Sequence, residues 1–198
     1  MGVLISFLIV QTYIMGYCNS FVKIGIDKEF NYFGIRFLPG IFPSLFNIDA
    51  SELSNHYERL NTVQPCIYNV IQQSKDRCLC LQDLCDELNI YFIKHINKID
   101  KPFDNRFFCA LETILKSKGS IIIEKDLNDG ISSRHLQRLF NFYIGDTAKF
   151  FCRIVRFQNL LKIDPSVKLI KSEKSYYDFG YYDQNHFIKE FNLFYGKT

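Results

Sequence analysis

The stretch GISSRHLQRLFNFYIG, residues 130–145, fixes the length and the buried side of one helix on local chemistry alone. Gly130 supplies a turn, and Ser132 offers a side-chain oxygen to the free N–H groups of a first helical turn. Gly145 stops the helix, because glycine enters the left-handed conformation of a helix end without steric cost. Between these marks Leu136, Leu139, Phe140 and Tyr143 follow the i, i+3, i+4, i+7 spacing of a half-buried helix. Ser133, Arg134, Gln137, Arg138 and Asn141 fall on the other side. DTAKFFCRIVRFQNLLKI then predicts a helix of about four turns, with Phe150, Phe151, Ile154, Val155 and Leu161 on its apolar face. A polar, Lys-rich link leads to SYYDFG and DQNHFIKEFNLFYG, which read as a short helix, a turn and a helix. Two helix-turn-helix units joined by one long helix is the architecture this pattern predicts.

The front of the chain is different in period. MGVLISFLIVQTYIMGY lacks the basic start of an export signal, carries Gln11 and Thr12 at its centre, and is short for a membrane span. Its β-branched and aromatic residues predict one or two buried strands over 3–15, with further strands over 20–26 and in FNYFGIRFLPG, the last ending at Pro39-Gly40. A helix is expected through FPSLFNI, and DASELSNHYERL reads as the start of another, capped by Asp49 or Ser51. From Pro65 to Ile96 the spacing is helical, through Ile67, Val70 and Ile71, then Leu81, Leu84, Cys85 and Leu88. NKIDKPFDNRF is a connector, and a helix through Phe107–Leu115 breaks at Gly119. The fold class expected is α+β, a strand-rich front followed by an all-α double helix-turn-helix.

With 198 residues, 47% of them hydrophobic and 23% charged, the chain is long and apolar enough for real cores. Residues 1–115 carry 10 Lys and Arg against 12 Asp and Glu, whereas residues 116–198 carry 14 against 9. A basic back half favours a polyanionic partner. Seven cysteines make no disulfide framework. Cys78, Cys80 and Cys85 lack the knuckle spacing of a zinc site, and the interleaved Leu79, Leu81 and Leu84 place them in a helix interior. No phosphate loop, paired-carboxylate arrangement or nucleophile elbow is present. Neither an enzyme, a cofactor nor a metal is expected. A DNA repair protein of the methyl-accepting kind would need a reactive cysteine in an acceptor segment, and PCIYNV at Cys66 is a poor one.

The polar faces of the two later helices carry the functional signal. Arg gives two parallel hydrogen bonds to guanine O6 and N7, and Gln and Asn pair in the same way with adenine. Arg134, Gln137 and Arg138 sit near the start of one helix, and Gln184, Asn185 and Lys189 near the start of the other. Helices that enter the major groove do so by their N-terminal residues. These same stretches, GISSRHLQRLFNFYIGDTAKFFCRIVRFQNLL and GYYDQNHFIKEFNLFYGKT, resemble the DNA-binding domain of the AraC/XylS family of bacterial transcription regulators. The matching positions are Ser132, Leu136, Arg138, Phe140 and Gly145, then Arg153 and Arg156, then Gly180-Tyr181, Asp183-Gln184, His186-Phe187, Phe191 and Gly196. More faintly, FGIRFLPGIFPSLFNIDASELSN resembles the N-terminal domain that accompanies one branch of that family, through Arg36, Phe37, Pro39, Gly40, Glu52 and Leu53.

The resemblance implies a cytoplasmic transcription regulator or activator, with residues 1–115 a partial regulatory domain and helical linker and residues 116–198 the DNA-binding domain. It implies double-stranded DNA read in the major groove by Arg134, Gln137, Arg138, Gln184, Asn185 and Lys189, with Ser133 a further DNA-binding residue and phosphate contacts from backbone amides at helix starts and from Lys149, Arg153 or Arg156. RNA polymerase, a small-molecule effector and a homodimer through the N-terminal region are further partners it implies; a membrane is not. His135 and His186 take packing or hydrogen-bonding roles. Three departures from the family pattern oppose this. Lys125, Asp126 and Asp129 stand where apolar or small residues are expected, as though residues had been lost. Tyr176 replaces a small alanine and would overpack its junction by about 1–3 kcal/mol. The family also continues beyond Thr198. The alternative expectation is therefore a truncated, non-binding remnant or a protein-interaction module of such a regulator.

Overall fold

The structure, a computed structural model, describes residues 4–8, 11–23, 32–77, 80–99, 103–127, 130–162 and 175–196. Its architecture is α+β. The opening residues form a hairpin of β1 (Leu4–Leu8) and β2 (Gln11–Met15), as their composition predicts. β3 (Tyr32–Arg36) pairs antiparallel on the free side of β1, and β4 (Tyr57–Arg59) on the free side of β2, giving the order β3-β1-β2-β4. Residues 20–23 of the expected second strand are not strand, and residues 24–26 lie outside the described residues. β3 runs out into the predicted Pro39-Gly40 turn, where Gly40 has φ 77° and a Cβ would stand 2.5 Å from the ring of Phe107. α1 (Ile41–Phe46) follows, as expected.

The helix expected from DASELSNHYERL is a correction. Asp49 does cap, accepting from the Ser51 N–H at 2.8 Å, but only a 3-10 turn forms over Ala50–Leu53. Gly16 lies so close to that turn that a Cβ on it would stand 2.0 Å from the Leu53 carbonyl oxygen. Asn55, at φ 61°, turns the chain and donates its N–H to the Tyr17 carbonyl at 2.8 Å. The next residues are thereby delivered to the edge of β2 as a strand.

α2 (Leu60–Val63) follows β4, and α3 (Pro65–Arg77) and α4 (Leu81–Ile96) then occupy the region whose spacing reads as helical. Their buried residues Leu60, Ile67, Ile71 and Leu88 join Ile14, Phe37, Phe42, Leu45 and Leu53 in one hydrophobic core. The cysteine cluster is split: Cys85 lies within α4 and is half-buried, beside Leu84 packed on the first core, whereas Cys80 stands before the helix. Cys80 is the extended N-cap of α4, its N–H bonded to the Asp83 carboxylate at 3.1 Å, and Leu81 is 59% exposed. Cys78 and Leu79 lie outside the described residues. Among the described residues no group of His, Cys, Asp and Glu is arranged to hold a metal ion.

The remaining helices are α5 (Asn105–Lys116), α6 (Ile123–Asp126), α7 (Ser133–Ile144), α8 (Ala148–Leu161) and α9 (Gln184–Tyr195), with a 3-10 turn over Ser175–Phe179. α5 ends where predicted: Gly119 has φ 78°, and a Cβ there would meet the Cys152 carbonyl oxygen at 2.2 Å. A second core joins Phe107, Ala110, Leu111 and Ile114 of α5 to Leu136, Leu139, Phe140 and Ile144 of α7 and to Phe151, Cys152, Ile154 and Val155 of α8. It thus draws on residues before position 116. A third core holds Phe157, Leu160, Tyr176, Tyr181, Phe187 and Phe191. Of the two leucines at the end of α8, Leu160 is buried, and Leu161, expected on the apolar face, is 43% exposed. Tyr176 is buried within the third core, where the 3-10 turn meets α9, and is stacked on Phe187 with ring centroids 6.1 Å apart and planes 15° apart. The Lys-rich link, residues 163–174, lies outside the described residues. Among the described residues no helix is long and apolar enough to cross a membrane.

Candidate nucleic-acid interface

α7 begins as its sequence predicts, with the Ser132 hydroxyl oxygen accepting from the His135 N–H at 3.3 Å. It ends at Gly145, φ 93°, whose N–H reaches the Phe140 and Asn141 carbonyls. Ser133, Arg134, Gln137, Arg138 and Asn141 are all exposed along one side. Behind them Phe140 packs edge-on to Phe107, centroids 5.2 Å apart, and against Phe151 of α8 at 6.2 Å. Tyr143 stacks on Phe107 at 4.4 Å. The polar side is therefore held outward by aromatic packing on the opposite side, which is what a helix needs in order to present several long side chains to a partner.

α9 repeats the arrangement. The Asp183 carboxylate accepts from the His186 N–H at 2.7 Å and caps the helix. Gln184, Asn185 and Lys189 are exposed, while Phe187 and Phe191 are buried against Tyr181 and Phe157. The four polar residues of DQNH thus divide their roles: Asp183 caps, His186 bonds inward, and Gln184 and Asn185 stay in solvent. α7 and α9 both pack on α8, which serves as their common support.

Of the three charged residues expected at the phosphates, Lys149 is exposed near the start of α8, and Arg153 and Arg156 are committed within the protein. The Arg153 Nε donates to Glu190 at 2.6 Å, and its guanidinium lies 4.6 Å from the centroid of the Phe150 ring. Glu190 of α9 is 2% exposed, so this pair bolts α9 to α8 in a poorly solvated place. The His186 ring completes the bolt: its Nε2 lies 3.2 Å from the same Glu190 oxygen, and its Nδ1 accepts from the Tyr182 N–H at 3.4 Å. Arg156, likewise, donates to the Gly119 carbonyl at 3.2 Å and lies 5.4 Å from the Tyr181 ring centroid. Burial, with Glu190 as a neighbouring negative charge, raises the Tyr181 phenol well above its ordinary range. Burial pushes the Cys152 thiol up to about 11, so it stays a neutral, packed group.

Glu190 is the residue that sequence reasoning missed. Nothing in the chain pairs it with Arg153, 37 positions earlier; only the docking of α9 on α8 does. The front of the chain also reaches α7. The Ser54 hydroxyl donates to the Gly145 carbonyl at 2.9 Å, and a Cβ on Gly145 would stand 2.0 Å from that hydroxyl oxygen and 2.8 Å from the Ala50 carbonyl oxygen. Tyr17 packs edge-on to Phe150 of α8 at 6.3 Å, and the Phe21 N–H donates to the Leu193 carbonyl of α9 at 3.0 Å.

Comparison with known proteins adds one match. A family model described as a domain of unknown function (DUF6597) covers residues 4–59, which is the span from the start of β1 to the end of β4. No curated protein and no solved structure matches the chain.

Proposed function

We propose that this chain is a sequence-specific DNA-binding transcription regulator of the AraC type, reading two neighbouring major-groove segments with α7 and α9. The observation that carries the proposal is the repeated construction of those two helices. Each is capped by a side chain, each is anchored by phenylalanines to α8, and each presents Arg, Gln, Asn or Lys at exposed positions of its first two turns. Arg134, Gln137 and Arg138 on α7, and Gln184, Asn185 and Lys189 on α9, have the donor patterns that discriminate guanine and adenine edges. Ser133 and Lys149 supply phosphate contacts, which carry much of the affinity and its salt dependence. Arg153 and Arg156 act on the protein side, fixing α9 and the approach to α6 against α8.

The match at residues 4–59 supports the same reading, since that domain occurs in the N-terminal regions of AraC-like regulators. The working division is a regulatory unit around the sheet and a DNA-reading unit behind it, in the cytoplasm of a bacterium. Selection of binding duplexes from random oligonucleotides with the full chain tests this. The expected outcome is an enriched motif with two separate blocks of defined bases. Recovery of no enriched sequence contradicts it.

A further inference from the structure

The turn into α9 leaves one ring unused by the fold. Tyr182 is 85% exposed, the most exposed of the large apolar and aromatic side chains among the described residues. Around it the chain is fixed: Gly180 turns at φ 74°, Tyr181 is buried in the third core, and Asp183 caps α9. The Tyr182 N–H donates to the His186 Nδ1 at 3.4 Å, and His186 is held in turn by Glu190. The exposed ring therefore leaves from a well-held stretch of backbone, at the same end of α9 as Gln184 and Asn185. α7 has no counterpart, since Ile131, the residue before its Ser132 cap, is buried.

The two helices also differ in the donors they present. α7 offers the guanidiniums of Arg134 and Arg138 with the amide of Gln137, whereas α9 offers the amides of Gln184 and Asn185 with the ammonium of Lys189. A guanidinium suits the guanine edge and an amide the adenine edge, so the segment under α9 is expected to be the richer in A·T pairs. Each A·T pair sets a thymine C5-methyl group in the major groove. Amides and ammoniums gain little from a methyl group, whereas an aromatic ring removes it from water. We propose that Tyr182 is a specificity-determining residue, its ring lying on a thymine C5-methyl beside the adenines paired by Gln184 and Asn185. This rests on the base reading proposed for α7 and α9 and makes the recognised site asymmetric, with dependence on a thymine methyl under α9 alone. A hydrogen bond from the phenol to a phosphate is the competing use of the same side chain, and removal of the hydroxyl alone separates the two.

Fluorescence anisotropy with the full chain and a selected duplex tests this, the α9 segment being the block whose base preferences relax on Gln184→Ala. Thymines in that block are replaced one at a time by deoxyuridine, which removes only the methyl group. At one position the replacement is expected to weaken binding about fourfold, the effect of losing one buried methyl. Tyr182→Ala should weaken binding at least as much and make that replacement silent. Tyr182→Phe should stay within about twofold of the parent and keep the methyl dependence. Circular dichroism establishes that each variant stays folded. A duplex bound equally with and without its thymine methyls, a methyl effect undiminished in Tyr182→Ala, or a loss in Tyr182→Phe equal to that in Tyr182→Ala overturns the inference and leaves the base reading standing. A chain that enriches no sequence overturns both.

Discussion

Arg138 and Arg153 show how one residue type serves two purposes fifteen positions apart. Arg138 is exposed on α7 with its guanidinium in solvent, whereas Arg153 is held by a carboxylate that is 2% exposed. Arg138→Ala is expected to leave thermal stability within about 0.5 kcal/mol and to weaken binding to a selected duplex by about 1–3 kcal/mol, relaxing preference at one base step. Fluorescence anisotropy on selected and scrambled duplexes measures both effects. Equal losses on the two duplexes mean that Arg138 does not read a base. The exposed side chains are legible from sequence because helical spacing alone puts them opposite Leu136 and Phe140. The roles of Arg153 and Arg156 are not, because a guanidinium is equally suited to phosphate and to carboxylate, and Glu190 and Gly119 become its partners only on folding.

Among the elements, those fixed by local chemistry are the ones that sequence reasoning locates. Ser132 and Gly145 bracket α7, Asp183 caps α9, and Pro39-Gly40 ends β3, because caps and turns depend on residues within a few positions. β4 escapes such reasoning. It is three exposed residues long, and only its pairing with β2 makes it a strand. Leu160 replaces Leu161 on the buried face of α8 for a related reason: both leucines fit the apolar pattern, and the third core decides between them. Gly145 joins the two kinds of constraint, since it ends α7 and also abuts Ala50 and Ser54. Gly145→Ala forces a side chain into left-handed backbone and into those atoms together, so a loss above about 1 kcal/mol is expected. Chemical denaturation reads this directly, and an unchanged midpoint contradicts the contact.

At the scale of the whole molecule, the sheet-bearing front and the helical back are joined through α7. The 3-10 turn and α1 both pack on that helix, Tyr17 enters the core it shares with α8, and the segment after β2 reaches α9 through Phe21. A boundary at residue 116 also removes Phe107, Ala110, Leu111 and Ile114 from the second core. A fragment of residues 116–198 is therefore expected to lack a cooperative thermal transition that a fragment starting at residue 103 retains; equal melting of the two contradicts the role given to α5. The central claim is that α7 and α9, held on α8, read one duplex together. The most direct measurement is the affinity of the full chain for a selected duplex before and after insertion of about 5 base pairs, half a helical turn, between its two conserved blocks. The insertion moves one block to the opposite side of the duplex, so affinity is expected to fall to that for scrambled DNA. Undiminished binding after the insertion contradicts the claim.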